Sequence, residues 1–137
     1  MTAMHIGDAL PEVTIEMTAT RIVAGAIATR DFMPVHHDKA YANFQGAPDI
    51  FMNILSTNAY CCRYLTDWAG PDAFVTRLAL RLGVPVFPGS TLTFTGSVSA
   101  VTPRPDDGEV DVTVEFRAAN ELGDHASGTA VVTLPSS

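Results

Sequence analysis

Asp49-Ile-Phe-Met-Asn-Ile-Leu-Ser-Thr-Asn-Ala-Tyr-Cys-Cys-Arg-Tyr-Leu-Thr-Asp-Trp68 is the longest helical pattern in the chain. Its apolar residues Ile50, Phe51, Ile54, Leu55, Cys61, Cys62, Leu65 and Trp68 wrap much of a helical circumference. The pattern predicts a helix from about Ile50 to Trp68, buried in a core or against a partner. Asp49 suits its N-cap or first turn, where a carboxylate meets unpaired N–H groups and the positive end of the helix dipole. Gly70-Pro71 stops it. Asn53 and Asn58 are the polar exceptions, fit to line a cavity or to face water.

Downstream the period changes from helical to two. Phe74–Leu82, Thr91–Ser99, Val110–Phe116 and Ala126–Leu134 alternate apolar with polar residues and read as strands. Pro85–Ser90 is a turn-rich link, and Pro103–Gly108 a surface hairpin loop with Asp107-Gly108 at its turn. Leu122-Gly123-Asp124 makes the last hairpin. Upstream, residues 1–10 form a surface lead-in with an exposed His5 and a turn at Gly7-Asp8. Val13, Ile15 and Met17 alternate as a short strand. Thr18 or Thr20 caps a short helix reaching Ala28 or Thr29 and weakened by Gly25. Asp38–Asn43 fits a helical turn or two. A long helix wrapped by hairpin-linked strands gives an α+β fold, read as one domain over residues 1–137.

Composition narrows the function. The 137 residues carry a formal charge of −7, and the eight Lys and Arg are scattered. Phosphate binding needs clustered cations, so a nucleic-acid role is disfavoured. No signal peptide and no apolar run long enough to span a bilayer are visible, so no membrane role is expected. Cys61 and Cys62 are neighbours on the long helix, badly placed to bridge, and without the spacing of a metal site. They read as small core residues in a reducing cytoplasm. No metal and no cofactor is expected.

The chemistry concentrates in Thr29-Arg-Asp-Phe-Met-Pro-Val-His-His-Asp38. Pro34 fixes its own φ and pushes Met33 out of the helical region, so this is an irregular loop of defined shape. Such a loop can bring Asp31 and His36 onto one volume, and a carboxylate with an imidazole around one water is an acid/base arrangement. The same residues also fit a solvated turn, with Asp31 on nearby amides and Asp38 capping the next helix.

Arg30-Asp31-Phe32-Met33-Pro34-Val35-His36 resembles Gly-Asp-x-Asn-Pro-Leu-His, the signature of the MaoC-like family of hotdog-fold enoyl-CoA hydratases and dehydratases. Asp31, Pro34 and His36 match, and Val35 replaces Leu. Arg30 and Met33 replace Gly and Asn. Gly7-Asp8, Pro85–Ser90 and Leu65–Pro71 also look like the family, and the resemblance covers nearly the whole chain. Ala28–Phe32, Val35–Asp38, Asp49–Leu55 and Arg81–Pro85 are most similar to the small subunits of the actinobacterial steroid side-chain hydratases within it.

The resemblance implies a hotdog fold, with a long central helix wrapped by a curved antiparallel sheet, and hydration of a 2-enoyl CoA thioester. It implies that Asp31 and His36 hold one water, His36 as the base and Asp31 orienting it and delivering a proton to Cα. The Phe51 backbone N–H would bind the thioester oxygen at the helix start. The family usually has Gly there, within Ala-His-Gly-Met, where this chain has Asp49-Ile-Phe-Met52. The likeness further implies a larger partner subunit with a second MaoC-like domain, two small plus two large subunits in a heterotetramer. Alternatives stand beside it: a homodimer acting on fatty enoyl-CoA, a hotdog thioesterase, and a non-catalytic subunit. His37 and His125 are expected to be structural or on the surface. Arg30 would meet a neighbouring carboxylate in preference to a CoA phosphate.

Overall fold

The computed structural model describes residues 3–136; Met1 and Thr2 of the lead-in lie outside them. The elements follow the expected order: strand β1 (Val13–Met17), helix α1 (Ala19–Ala28), a 3-10 turn (Pro34–His36), helix α2 (Lys39–Phe44), helix α3 (Ile54–Ala69), then strands β2 (Phe74–Leu82), β3 (Ser90–Arg104), β4 (Glu109–Asn120) and β5 (Gly123–Pro135). The strands form one antiparallel sheet in the order β1-β3-β4-β5-β2. Its inner face buries Leu92 and Phe94 of β3, Val112 and Val114 of β4, and Val132 and Leu134 of β5 in one core with Cys61 and Leu65 of α3.

Helix α3 starts four residues later than the apolar pattern suggests. Asn53 is its N-cap, with Oδ1 accepting from the Ser56 N–H at 3.3 Å. Asp49 is not the cap; its carboxylate takes the Ile50 N–H at 2.8 Å and lies 3.9 Å from Lys39 Nζ. Ile50, Phe51 and Met52 run outside the helix, where the Met52 N–H bonds the Val86 carbonyl at 3.0 Å. The buried stripe of α3 runs Ser56, Thr57, Cys61, Tyr64, Leu65, Ala69. Ile54 and Leu55, expected inside, are 51% and 46% exposed. A small residue, Ser56, opens the stripe where α1 lies against it. A Cβ on Gly25 would come within 2.4 Å of Ser56 Oγ, so glycine there sets the approach of the two helices at some cost in helix propensity.

Three strands run past their expected ends. Val98 pairs Val114 and Ala100 pairs Thr113, so a bulge at Ser99 shifts the alternation where the period-two reading stops. Strand β3 then continues through Pro103 to Arg104, an end that β1 does not reach. The lead-in is less superficial than expected. Leu10 is buried, Gly7 and Leu10 donate to Val98 and Gly96, and Ala9 bridges Ser97, so it lies along β3.

His125, at the head of β5, ties the sheet to α3. Its Nδ1 lies 2.6 Å from the Val84 carbonyl, which can only accept, so Nδ1 carries the proton. Nε2 then accepts from the Thr57 hydroxyl at 2.8 Å. Burial pushes the imidazole below its usual value of 6.5. The unfolded chain therefore binds the proton more readily. The contribution is complete above about pH 6.5 and is lost as pH falls from there toward the lowered folded value. Urea unfolding at about pH 7.5 and 5.5 should show lower stability at the acid end. His125→Asn keeps a donor for Val84 and removes the titration, so it should flatten that difference.

Candidate active site

The end of α1 delivers Asp31. The Arg30 N–H bonds the Ile27 carbonyl at 3.0 Å and the Asp31 N–H bonds the Ala26 carbonyl at 2.9 Å, the paired bonds of a Schellman cap. That cap requires a left-handed residue, and Arg30 fills it at φ 58°. A side chain in this conformation costs about 1–2 kcal/mol, which explains why glycine suits the position. Among the described residues Arg30 makes no ion pair, contrary to the expected carboxylate partner.

His36 comes from the 3-10 turn. Met33 is extended and Pro34 opens the turn, so the chain doubles back and buries Val35 and His36. His36 Nδ1 sits 2.7 Å from the Phe51 carbonyl, and the two rings meet edge-on with centroids 5.1 Å apart. The carbonyl accepts, so Nδ1 holds the proton and Nε2 of the neutral ring has a free lone pair. That nitrogen faces Asp31 Oδ2 at 3.4 Å.

The Asp31 carboxylate has a donor on each oxygen. Asn53 Nδ2 donates to Oδ2 at 3.1 Å and the Met33 N–H to Oδ1 at 3.3 Å. The Asn53 bond, then the Met33 bond and nearby His36, hold the carboxyl below its ordinary range against the opposing effect of burial. An ionised carboxylate beside an imidazole lone pair can orient a water and take its proton.

The Phe51 N–H points to the Val35 carbonyl at 3.3 Å. Since α3 begins at Ile54, that N–H is not part of the helix N-terminus, which corrects the expected oxyanion geometry. His37 is exposed. Asn53 is the residue that sequence reasoning left undecided. Its signal was present: Asn53, Ser56, Thr57, Tyr60, Cys61, Tyr64, Leu65 and Trp68 form a single helical stripe that begins with a good N-cap. Among the described residues no group of three or more His, Cys, Asp or Glu could hold a metal ion.

A helix against one antiparallel sheet, with an Asp/His pair in the loop ahead of it, defines an α+β hotdog-fold protein. The MaoC like domain model matches residues 3–120, and the chain belongs to that family. It is 46% identical over 129 residues, 94% of this chain and 95% of the relative, to the 3-oxo-4,17-pregnadiene-20-carboxyl-CoA hydratase beta subunit of Mycobacterium tuberculosis. It is similar to a chain in the crystal structure of the ChsH1-ChsH2 complex from the same organism, with TM-score 0.87 and 45% identity over 98% of this chain and 99% of that one. An (R)-hydratase from A. caviae shares the fold, with TM-score 0.83 at 23% identity over 98% of this chain and 100% of that one.

Proposed function

We propose that this chain is the catalytic subunit of an enoyl-CoA hydratase that adds water across the 2,3 double bond of a steroid side-chain CoA thioester. The observation that carries the proposal is the free Nε2 of His36 facing an ionised Asp31 at 3.4 Å. The identity with the beta subunit of a steroid carboxyl-CoA hydratase supports the substrate class.

His36 Nε2 takes a proton from water as the oxygen bonds Cβ. The π electrons pass toward the thioester oxygen, and the imidazolium returns a proton to Cα. The donors on Asp31 favour its anion, so we assign it to orienting the water and stabilising the imidazolium. The Cα proton, given to Asp31 by family resemblance, is thereby assigned to His36. The Phe51 N–H serves the thioester oxygen as a shared donor, because its bond to Val35 is long for N–H···O.

A larger partner subunit, two copies of each chain in a heterotetramer, completes the acyl cavity. Phe32, Met33, Ile54 and Leu55 adjoin the site residues in sequence and are 45–65% exposed, an apolar surface suited to a bulky acyl group or a covering chain. Among the described residues no helix is long and apolar enough to cross a membrane. The free thiols Cys61 and Cys62 suit a reducing cytoplasm.

Loss of the enoyl-thioester absorbance tests the reading, with and without the larger subunit. We expect the pregnadiene carboxyl-CoA thioester to be hydrated only by the pair of chains, without release of CoA thiol. Thiol release would replace hydration by thioester hydrolysis. Turnover of crotonyl-CoA by this chain alone would replace the steroid heteromer by a homodimeric hydratase.

A further inference from the structure

Resting on the hydratase reading, we infer that Asn53 is a positioning residue for the reaction: one buried amide caps α3 and sets the orientation of the Asp31 oxygen that faces His36. Asn53 is 1% exposed, and each polar atom of its side chain is engaged. Oδ1 accepts from the Ser56 N–H at 3.3 Å. Nδ2 donates to Thr29 Oγ1 at 2.9 Å and to Asp31 Oδ2 at 3.1 Å. Thr29 Oγ1 in turn donates to the Gly25 carbonyl at 2.7 Å. The amide joins three places: the C-cap of α1, the N-cap of α3 and the carboxylate.

This network leaves the amide one orientation. Turning it over would put the Asn53 oxygen against a carboxylate and its NH2 group against the Ser56 N–H. Both contacts would be repulsive, and burial would leave their groups without water. The choice of Asn is therefore specific. Asp caps helices equally well but offers the carboxylate no donor and adds a second negative charge beside it. Ser caps equally well but is too short to serve Ser56 and Asp31 together. The cap alone does not explain Asn over these two; the NH2 group that donates to Thr29 and Asp31 does.

The oxygen Asn53 holds is the same Oδ2 that lies 3.4 Å from His36 Nε2. A displaced carboxylate would misplace the water between them, and small misplacements of reacting groups cost up to about 100-fold in rate. His36, from the 3-10 turn, is the titratable group in contact with Asp31, and Met33 is its backbone donor. Arg30 adjoins Asp31 in the chain but makes no ion pair among the described residues.

The test uses Asn53→Ser and Asn53→Asp in the complex with its partner subunit. The pH dependence of kcat/KM is measured beside the 13C titration of the Asp31 carboxyl, identified by its loss in Asp31→Asn. Both variants keep a helix cap, and thermal unfolding checks that they fold. We expect kcat to fall about 10- to 100-fold. The acid limb of kcat/KM should move to higher pH, and the Asp31 carboxyl should titrate higher, most in Asn53→Asp. An Asp31 titration unchanged in both folded variants overturns the coupling. A shifted titration with wild-type kcat and pH profile overturns the positioning role. If the wild-type complex does not hydrate any enoyl thioester, the hydratase reading fails by itself, while the carboxyl titration still decides whether Asn53 governs Asp31.

Discussion

His36→Asn is expected to lower the hydration rate by about 10²–10⁴-fold while leaving a folded protein. The substitution separates the two ring nitrogens. An asparagine amide can place its NH2 near the position of Nδ1 and keep the donor to the Phe51 carbonyl, 2.7 Å away in the native protein. Nothing replaces Nε2, the nitrogen that faces Asp31. Asp31→Asn complements it, since shape is kept and the anion is lost, and a fall of similar size is expected. Steady-state turnover of the enoyl thioester, with circular dichroism as the folding control, checks both. Near-native turnover in folded His36→Asn would remove the imidazole from the chemistry and reopen the solvated-turn reading of the loop.

Phe94→Ala should cost about 3–5 kcal/mol of stability, the range for deleting a buried aromatic ring. Phe94 is 1% exposed on β3, and its ring lies 5.3 Å from that of Tyr64 on α3. Tyr64 donates its hydroxyl to the Pro11 carbonyl at 2.8 Å, so the cavity would open where sheet, central helix and the approach to β1 meet. Urea unfolding should show the loss as a lower midpoint with little change in slope. A shift below about 1 kcal/mol would mean that the site collapses around the deletion and that this contact does not hold α3 to the sheet.

The parts legible in the sequence were those governed by local periodicity. Alternation in β2, β4 and β5, the cap at Thr18, the stop at Gly70 and the irregular loop around Pro34 all depend on neighbours in the chain. The boundary of α3 is not legible in the sequence because Ile50, Phe51 and Met52 are apolar for a different reason. Ile50 and Met52 are buried in a segment that is neither helix nor strand, beside Val86. Apolar character reports burial, and burial belongs to helices and extended segments alike. The period of β3 ends at Ser99 while the strand continues, because a bulge displaces the alternation and the residues that compensate lie on β4.

The sequence by itself determined the α+β architecture and offered Asp31 and His36 as a pair, because turn chemistry and hydrophobic period are properties of adjacent residues. Only the tertiary structure decided how the pair works. The His36 proton sits on Nδ1 because of a carbonyl 15 residues away, and Asp31 is held ionised first by an amide 22 residues away. Hydrogen-bond partners brought together by packing leave no period in the chain, so the state of each group is written in the fold.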